Sequence, residues 1–161
     1  MKVLPKIAGF AFFFALIALM AQPIQAQSKK AAESGIHFHH GTFAEALAIA
    51  KAENKLVFVD AYAQWCGPCK MMQYKVFPNA EVGKYFNANF VNIKMDMEKG
   101  EGRTKARDWG IRGYPTLIVF NADGKQVYRV MGGLYAPDFI KFGKSGVAAA
   151  AAAVAADPSK R

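Results

Sequence analysis

The sequence predicts an α/β fold with a central mixed β-sheet flanked by helices on both faces. Three observations carry this expectation. Strand-like and helix-like segments alternate along most of the chain, the pattern of parallel strands joined by helical crossovers. The run Leu56-Val57-Phe58-Val59 shows no polar alternation, so it reads as a central strand buried on both sides. Near the end, two strand-like runs flank Asn121-Ala122-Asp123-Gly124, a hairpin turn that makes the last pair antiparallel. The chain has 161 residues, enough for one domain with a substantial core.

Residues 1–26 read as a secretory signal peptide. Lys2 and Lys6 give a basic start, Ile7 to Ala21 is continuously apolar, and Gln22-Pro23-Ile24-Gln25-Ala26 breaks the run. Cleavage is expected near Ala26, with Ala21 as the alternative. An uncleaved anchor is the competing reading, but the run is short for a span, which needs about 20 residues. No cysteine follows it, so a lipid-modified N-terminus is not expected. Residues 27–35 are small and polar and read as a flexible leader.

His37-Phe38-His39-His40 alternates and reads as an edge strand, with a metal site as the weaker alternative. Thr42 and Glu45 form a capping box for a helix running to about Glu53, ended by Asn54 and Lys55. The strand Leu56 to Ala63 follows and contains one anomaly, Asp60. A helix after residue 69 should reach Val76 or Phe77, where Pro78 interrupts it. A further helix begins near Asn79-Ala80-Glu81. Phe90 to Met95 alternates as a strand, Glu98 to Gly102 reads as a loop, and a short helix is expected from about Arg103 to Trp109, stopped by Gly110. Tyr114 to Phe120 is a strand that opens on a proline, Gln126 to Met131 is its hairpin partner, and Gly132-Gly133 breaks it. Pro137-Asp138 opens the last helix. The domain therefore spans about residues 36–145. The alanine-rich residues 146–161 form an extension, helical or frayed, with no large apolar face to pack.

The chemistry is concentrated in Trp65-Cys66-Gly67-Pro68-Cys69-Lys70, which holds the only two cysteines. A Cys-x-x-Cys at a strand-to-helix junction places the first sulfur at a helix N-terminus. The helix dipole and free N–H groups there stabilise a thiolate, the reactive species in disulfide exchange. A zinc site would need about four ligands, and the three histidines all lie well upstream. An inert disulfide is possible, but a bridge closing so small a loop stabilises little. Redox chemistry is the reading that the spacing favours.

The formal net charge is +9, of which Lys2 and Lys6 supply two. The lysines and arginines are scattered, with no basic stripe interleaved with aromatics, so nucleic acid is not an expected partner. The charge supports only a general preference for acidic partners.

Cys66, Cys69, Asp60 and Pro115 together resemble the thioredoxin family, over about residues 36–145. Trp65 to Lys70 matches its active-site motif at every position. Arg112-Gly113-Tyr114-Pro115-Thr116 is similar to its second signature, a loop whose proline is cis. Met72 to Val82 is closer to the C-terminal domain of bacterial membrane thiol-disulfide interchange proteins and to small exported thioredoxin-like proteins. The resemblance implies a thioredoxin fold. It makes Cys66 the nucleophile and Cys69 a more buried resolving thiol. It places Trp65 beside the site as a shield, and the substrate along Trp65, Gly67, Pro68, Tyr114 and Pro115. Asp60 matches the family's buried acid, which can serve as a base for the resolving thiol. That acid pairs with a strand lysine in thioredoxin. Asn92 stands at the aligned position here, while Lys94 has the same strand parity and could substitute. Tyr114 departs from the usual isoleucine, so substrate preference should differ.

These readings imply an exported, periplasmic thiol-disulfide oxidoreductase. It would reduce protein disulfides, use no cofactor beyond its own cysteine pair, bind no metal, act as a monomer, and draw electrons from a membrane thiol reductase. A dithiol oxidase or isomerase, and a peptide-binding chaperone-like module on the same fold, are the alternatives.

Overall fold

The computed structural model describes residues 35–156. The expected signal peptide, residues 27–34 of the leader and residues 157–161 lie outside the described residues.

The elements follow the order expected from the sequence: β1 (Phe38–His39), α1 (Phe43–Glu53), β2 (Leu56–Tyr62), α2 (Gly67–Met71) continued by a π-helical turn (Met72–Val76), α3 (Ala80–Asn89), β3 (Phe90–Asp96), α4 (Gly100–Asp108), β4 (Thr116–Phe120), β5 (Gln126–Met131) and α5 (Ala136–Ala155). The five strands form one sheet in the order β1-β3-β2-β4-β5. β1, β3 and β2 are parallel; β4 and β5 run antiparallel to their neighbours. β2 is central and buried throughout its middle, as its unbroken apolar run requires.

Alternate side chains of the strands feed two cores. Val57, Val59, Ala61, Val91, Ile93, Met95, Ile118 and Phe120 pack with α1 and Trp109 on one face. Phe58, Phe90, Leu117 and Val119 pack with α3, α5 and the π turn on the other. The second core is aromatic: the Phe58 ring meets those of Phe86, Phe139 and Phe142 edge-on at 5.1, 5.3 and 6.0 Å. Burying each such ring contributes about 1.5–3 kcal/mol.

Local signals explain most boundaries. Thr42 and Glu45 form the reciprocal capping box, and Asn54 ends α1 in the left-handed conformation at φ 51°. Asn79 caps α3 through its side-chain oxygen. The helix after the cysteines widens where Phe77 N–H donates to Met72 O at 2.9 Å, five residues back. That extra residue turns Met72, Val76 and Phe77 to the core and leaves Gln73, Tyr74 and Lys75 outside.

Two boundaries differ from expectation. α4 starts at Gly100, three residues earlier than Arg103. Gly102 reads as a loop residue in the sequence, yet a Cβ there would collide with the Asp96 carbonyl, so its smallness lets the first turn of α4 sit on the end of β3. Gly35 was expected in the leader but is buried, and Asn87 donates to its carbonyl at 3.0 Å. Its backbone leaves no room for a side chain at Gly83, and a Cβ on Gly35 itself would collide with the Phe77 carbonyl and Pro78. At the other end, α5 runs without a break through residue 146 to Ala155, with Ala150 buried. Among the described residues no helix is long and apolar enough to cross a membrane.

Candidate active site

Strand register brings four distant segments to one end of the sheet. Tyr62, the last residue of β2, is opposite Asp96, and Met97 N–H donates to Tyr62 O at 2.9 Å. Ala61 is opposite Thr116, the first residue of β4, and Thr116 is opposite Met131, the last of β5. The cysteine motif, the Asp96-Met97-Glu98 turn, the 113–115 loop and the end of β5 therefore meet. The Tyr114–Pro115 peptide bond in that loop is cis.

Cys66 and Cys69 are joined by a disulfide with an S–S distance of 2.05 Å. Cys66 is the N-cap of α2, and its sulfur accepts the Cys69 N–H at 3.1 Å. The sequence placed Cys69 deeper than Cys66, but the oxidised pair does not show this: the exposures are 4% for Cys69 and 2% for Cys66. Both sulfurs belong to one small cluster with Ala63, and the rings of Tyr62 and Tyr114 close over it. Gly67 and Pro68 are exposed beside the bridge, where Pro68 approaches Gly133.

Behind the disulfide, Asp60 is fully buried on β2. Its strand neighbour Lys94 places Nζ 2.6 Å from Asp60 Oδ2, so Lys94 takes the place of the pairing lysine that Asn92 leaves empty. Asn92 instead uses its amide to bond His37 O and Asn87 Oδ1. The Lys94 ammonium lies over the rings of Phe77, Tyr62 and Phe38 at 4.7, 4.8 and 5.3 Å, a cage that favours a cation with little water. Burial pushes the Asp60 carboxyl above its ordinary 3.8, and the charge and hydrogen bond of Lys94 oppose that rise. Asp60 Oδ1 has no hydrogen-bond partner. Among the described residues Asp60 makes no direct hydrogen bond to either cysteine. Gln73, on the π turn, lines both the hollow at Cys69 and the one at Lys94.

In front of the disulfide, Trp65 is 68% exposed rather than folded over the site. Its indole N–H donates to both carboxylate oxygens of Glu98 at 3.0 Å, and its ring meets Tyr114 edge-on at 5.8 Å. Met131 and Tyr135, both 66% exposed, add apolar surface at the neighbouring strand and helix ends. Met131 also rests its sulfur over Gly113.

Sequence reasoning assigned no role to Glu98. It sits in a Glu-Lys-Gly-Glu-Gly stretch that looks like any solvated loop, and only the Tyr62–Asp96 register reveals its neighbour. The cage around Lys94 was equally hidden, because its rings come from β1, β2 and the residue after the π turn. Among the described residues no three metal-ligating side chains converge; His39 lies in the edge strand β1, and His37 just before it.

Comparison with known proteins agrees with this geometry. A family model described as a thioredoxin-like domain matches residues 43–145. The thiol:disulfide interchange protein DsbD of Pseudoalteromonas atlantica is 33% identical over 107 residues, covering 64% of this chain but only 18% of that protein. Thioredoxin-1 of Saccharomyces cerevisiae is 40% identical over 83 residues, 52% of this chain and 74% of that one. Among solved structures, a putative disulphide-isomerase from Bacteroides thetaiotaomicron shares 48% identity with a TM-score of 0.64, covering 71% of this chain and 94% of that one. The oxidised C-terminal domain of Neisseria meningitidis DsbD shares 26% identity with a TM-score of 0.55, over 64% of this chain and 90% of that one. With Cys66 capping α2 and bridged to Cys69 beside a cis-proline loop, this chain belongs to the thioredoxin-like family.

Proposed function

We propose that the protein is an exported thiol-disulfide oxidoreductase that reduces disulfides of other exported proteins. The observation that carries the reading is the Cys66–Cys69 bridge at the start of α2, with Tyr114 of the cis-proline loop packed against it. In the reduced form, the Cys66 thiolate attacks one sulfur of a substrate disulfide. A mixed disulfide forms, and the other substrate sulfur leaves as a thiolate and takes up a proton. Cys69 then gives its proton to Asp60 and attacks the Cys66 sulfur. This closes the intramolecular bridge and releases the second substrate thiolate. Two electrons pass to the substrate, and a dithiol donor must return them. No bound cofactor or metal is required.

Export rests on the N-terminal pattern of Lys2, Lys6 and the apolar run to Ala21. The DsbD relatives, which are interchange proteins much longer than this chain, suggest a membrane thiol reductase as the donor. The segments meeting at the disulfide suggest that the substrate chain lies along Trp65, Gly67, Pro68, Tyr114 and Pro115. The test is insulin reduction by the purified protein with a chemical dithiol as donor. The wild type should precipitate insulin chains, and Cys66→Ser should be inactive. Equal rates for the two proteins would leave a peptide-binding module as the reading.

A second reading, isomerisation, is favoured by the description of the Bacteroides protein as a disulphide-isomerase. Refolding of a protein with scrambled disulfides separates the two. An isomerase restores activity with catalytic amounts of enzyme and no net dithiol consumption, whereas a reductase only strips the bridges.

A further inference from the structure

The Trp65–Glu98 contact is unusual for its place in the molecule. An indole that is two-thirds exposed would ordinarily sample several rotamers, since nothing packs against most of its surface. Here both carboxylate oxygens of Glu98 accept the one N–H at 3.0 Å, and the edge-on contact with Tyr114 restrains the ring from a second side. Glu98 is itself held from below. Its N–H donates to Asp96 Oδ1 at 3.0 Å, and Arg103 Nε donates to its carbonyl oxygen at 2.6 Å. The Arg103 contact goes to the backbone, and among the described residues no lysine or arginine pairs with the Glu98 carboxylate. The carboxylate therefore stays exposed, with lone pairs to spare, at the rim of the disulfide.

We propose that Glu98 is a positioning and specificity residue for disulfide exchange: it fixes Trp65 as one wall of the substrate groove and makes that wall favour a segment with Lys or Arg beside the reacting cysteine. The inference rests on the function proposed above. A cationic side chain can lie across the exposed indole face and reach the carboxylate at its edge, gaining on both. An acidic side chain in the same place meets repulsion. The field of Glu98 and Asp96 also extends to Tyr114, where their charges, after burial, raise the phenol above its ordinary 10.0. The selection runs opposite to the chain's net charge of +9, so the global charge does not predict it.

The experiment uses the full chain and two model peptides, each carrying one internal disulfide. One has arginine and the other glutamate next to the attacked cysteine. Wild type should reduce the arginine peptide about five- to tenfold faster in kcat/KM, as one charge-assisted contact at an exposed site allows. Glu98→Gln keeps an acceptor for the indole but removes the charge. It should bring the two peptides within about twofold of each other, by speeding the glutamate peptide and slowing the arginine one. Glu98→Ala frees the indole as well and should slow both peptides relative to Glu98→Gln, with the loss in KM rather than kcat. The equilibrium of Cys66–Cys69 with glutathione should not change in either variant, which separates docking from redox poise. In parallel, the Trp65 indole N–H proton resonance should move upfield in Glu98→Ala and stay close to wild type in Glu98→Gln. Persistence of the arginine preference in Glu98→Gln, or unchanged kinetics and resonance in Glu98→Ala, overturns the proposal. Failure of the wild type to reduce either peptide condemns the reductase reading instead, and the resonance still reports whether Glu98 holds Trp65.

Discussion

The two sides of the disulfide use the same pairing for opposite ends. Behind it, the Asp60 carboxylate takes an N–H from Lys94 at 2.6 Å; in front, the Glu98 carboxylate takes one from Trp65 at 3.0 Å. Asp60 is fully buried and Glu98 is exposed. Burial is what separates them. In the interior, a carboxylate resists ionisation, so the contact with Lys94 sets how readily Asp60 exchanges a proton. At the surface, water already solvates the carboxylate, so the contact with Trp65 mainly fixes where a ring points. One pair tunes chemistry and the other places surface, although each is a single acid joined to a single N–H.

The largest expected effect comes from removing the buried acid. Asp60→Asn keeps the size of the side chain but cannot accept the Cys69 proton. Closure of the mixed disulfide should slow about a hundredfold near neutral pH, the lower end of what a positioned base contributes. Single-turnover mixing with a model disulfide would show it as accumulation of the mixed disulfide. The same substitution has a stability signature. Asp60 is raised above 3.8 in the folded protein, so the folded state holds the proton more tightly than the unfolded chain does. Stability from that proton is complete below about 3.8 and is lost as the pH rises through the folded value. Relative to Asp60→Asn, the wild type should therefore lose stability as the pH rises, and a difference that is flat with pH would contradict the assignment.

Removing the partner comes next. Lys94→Met leaves Asp60 buried with neither oxygen bonded. Breaking a buried pair costs about 3–5 kcal/mol, but the Lys94 side chain is 21% exposed, so about 2 kcal/mol at neutral pH is a reasonable expectation. Denaturant melts should show most of that loss above the raised Asp60 value, where the carboxyl must either ionise alone or keep its proton against the solvent. Adding Asp60→Asn to Lys94→Met should recover much of the loss, because the pair is then absent rather than broken.

These two residues also mark how far the sequence could be read. The apolar run of β2, the Thr42–Glu45 capping box and the Asn121–Gly124 turn were legible because each is encoded within a few neighbouring residues. Both cysteines, Asp60 and the proline of the 113–115 loop were legible because they fall in short motifs. Lys94 was partly legible: strand parity put it on the right face, but its ring cage needs Phe38 of β1, Tyr62 of β2 and Phe77 just after the π turn, three separate segments upstream of it. Glu98 was not legible at all, because its partner lies 33 residues back and only the parallel register of β2 and β3 joins them. The start of α4 was misplaced for a related reason. The glycines at 100 and 102 look like loop formers, and only the Asp96 carbonyl beneath Gly102 shows why a helix needs one there.

The smallest effect is the one that best tests the contrast. Trp65→Phe keeps an aromatic ring but deletes the N–H that Glu98 accepts. With so much of the indole in solvent, stability should change by no more than about 0.5 kcal/mol, far less than for Lys94→Met. Peptide reduction should fall only a few fold, since the phenyl ring still offers an apolar face. The informative measurement is the double-mutant cycle with Glu98→Ala. If Glu98 acts on uncharged substrates only by holding the indole, its removal has nothing left to release in the Trp65→Phe background, and the two losses should not add. A charged substrate should behave differently. The field of Glu98 persists without the indole N–H, so Glu98→Ala should still reduce the preference for an arginine peptide in that background. Additive losses on an uncharged substrate would mean that Glu98 meets the substrate directly, and the front of the site would then work by contact rather than by placing Trp65.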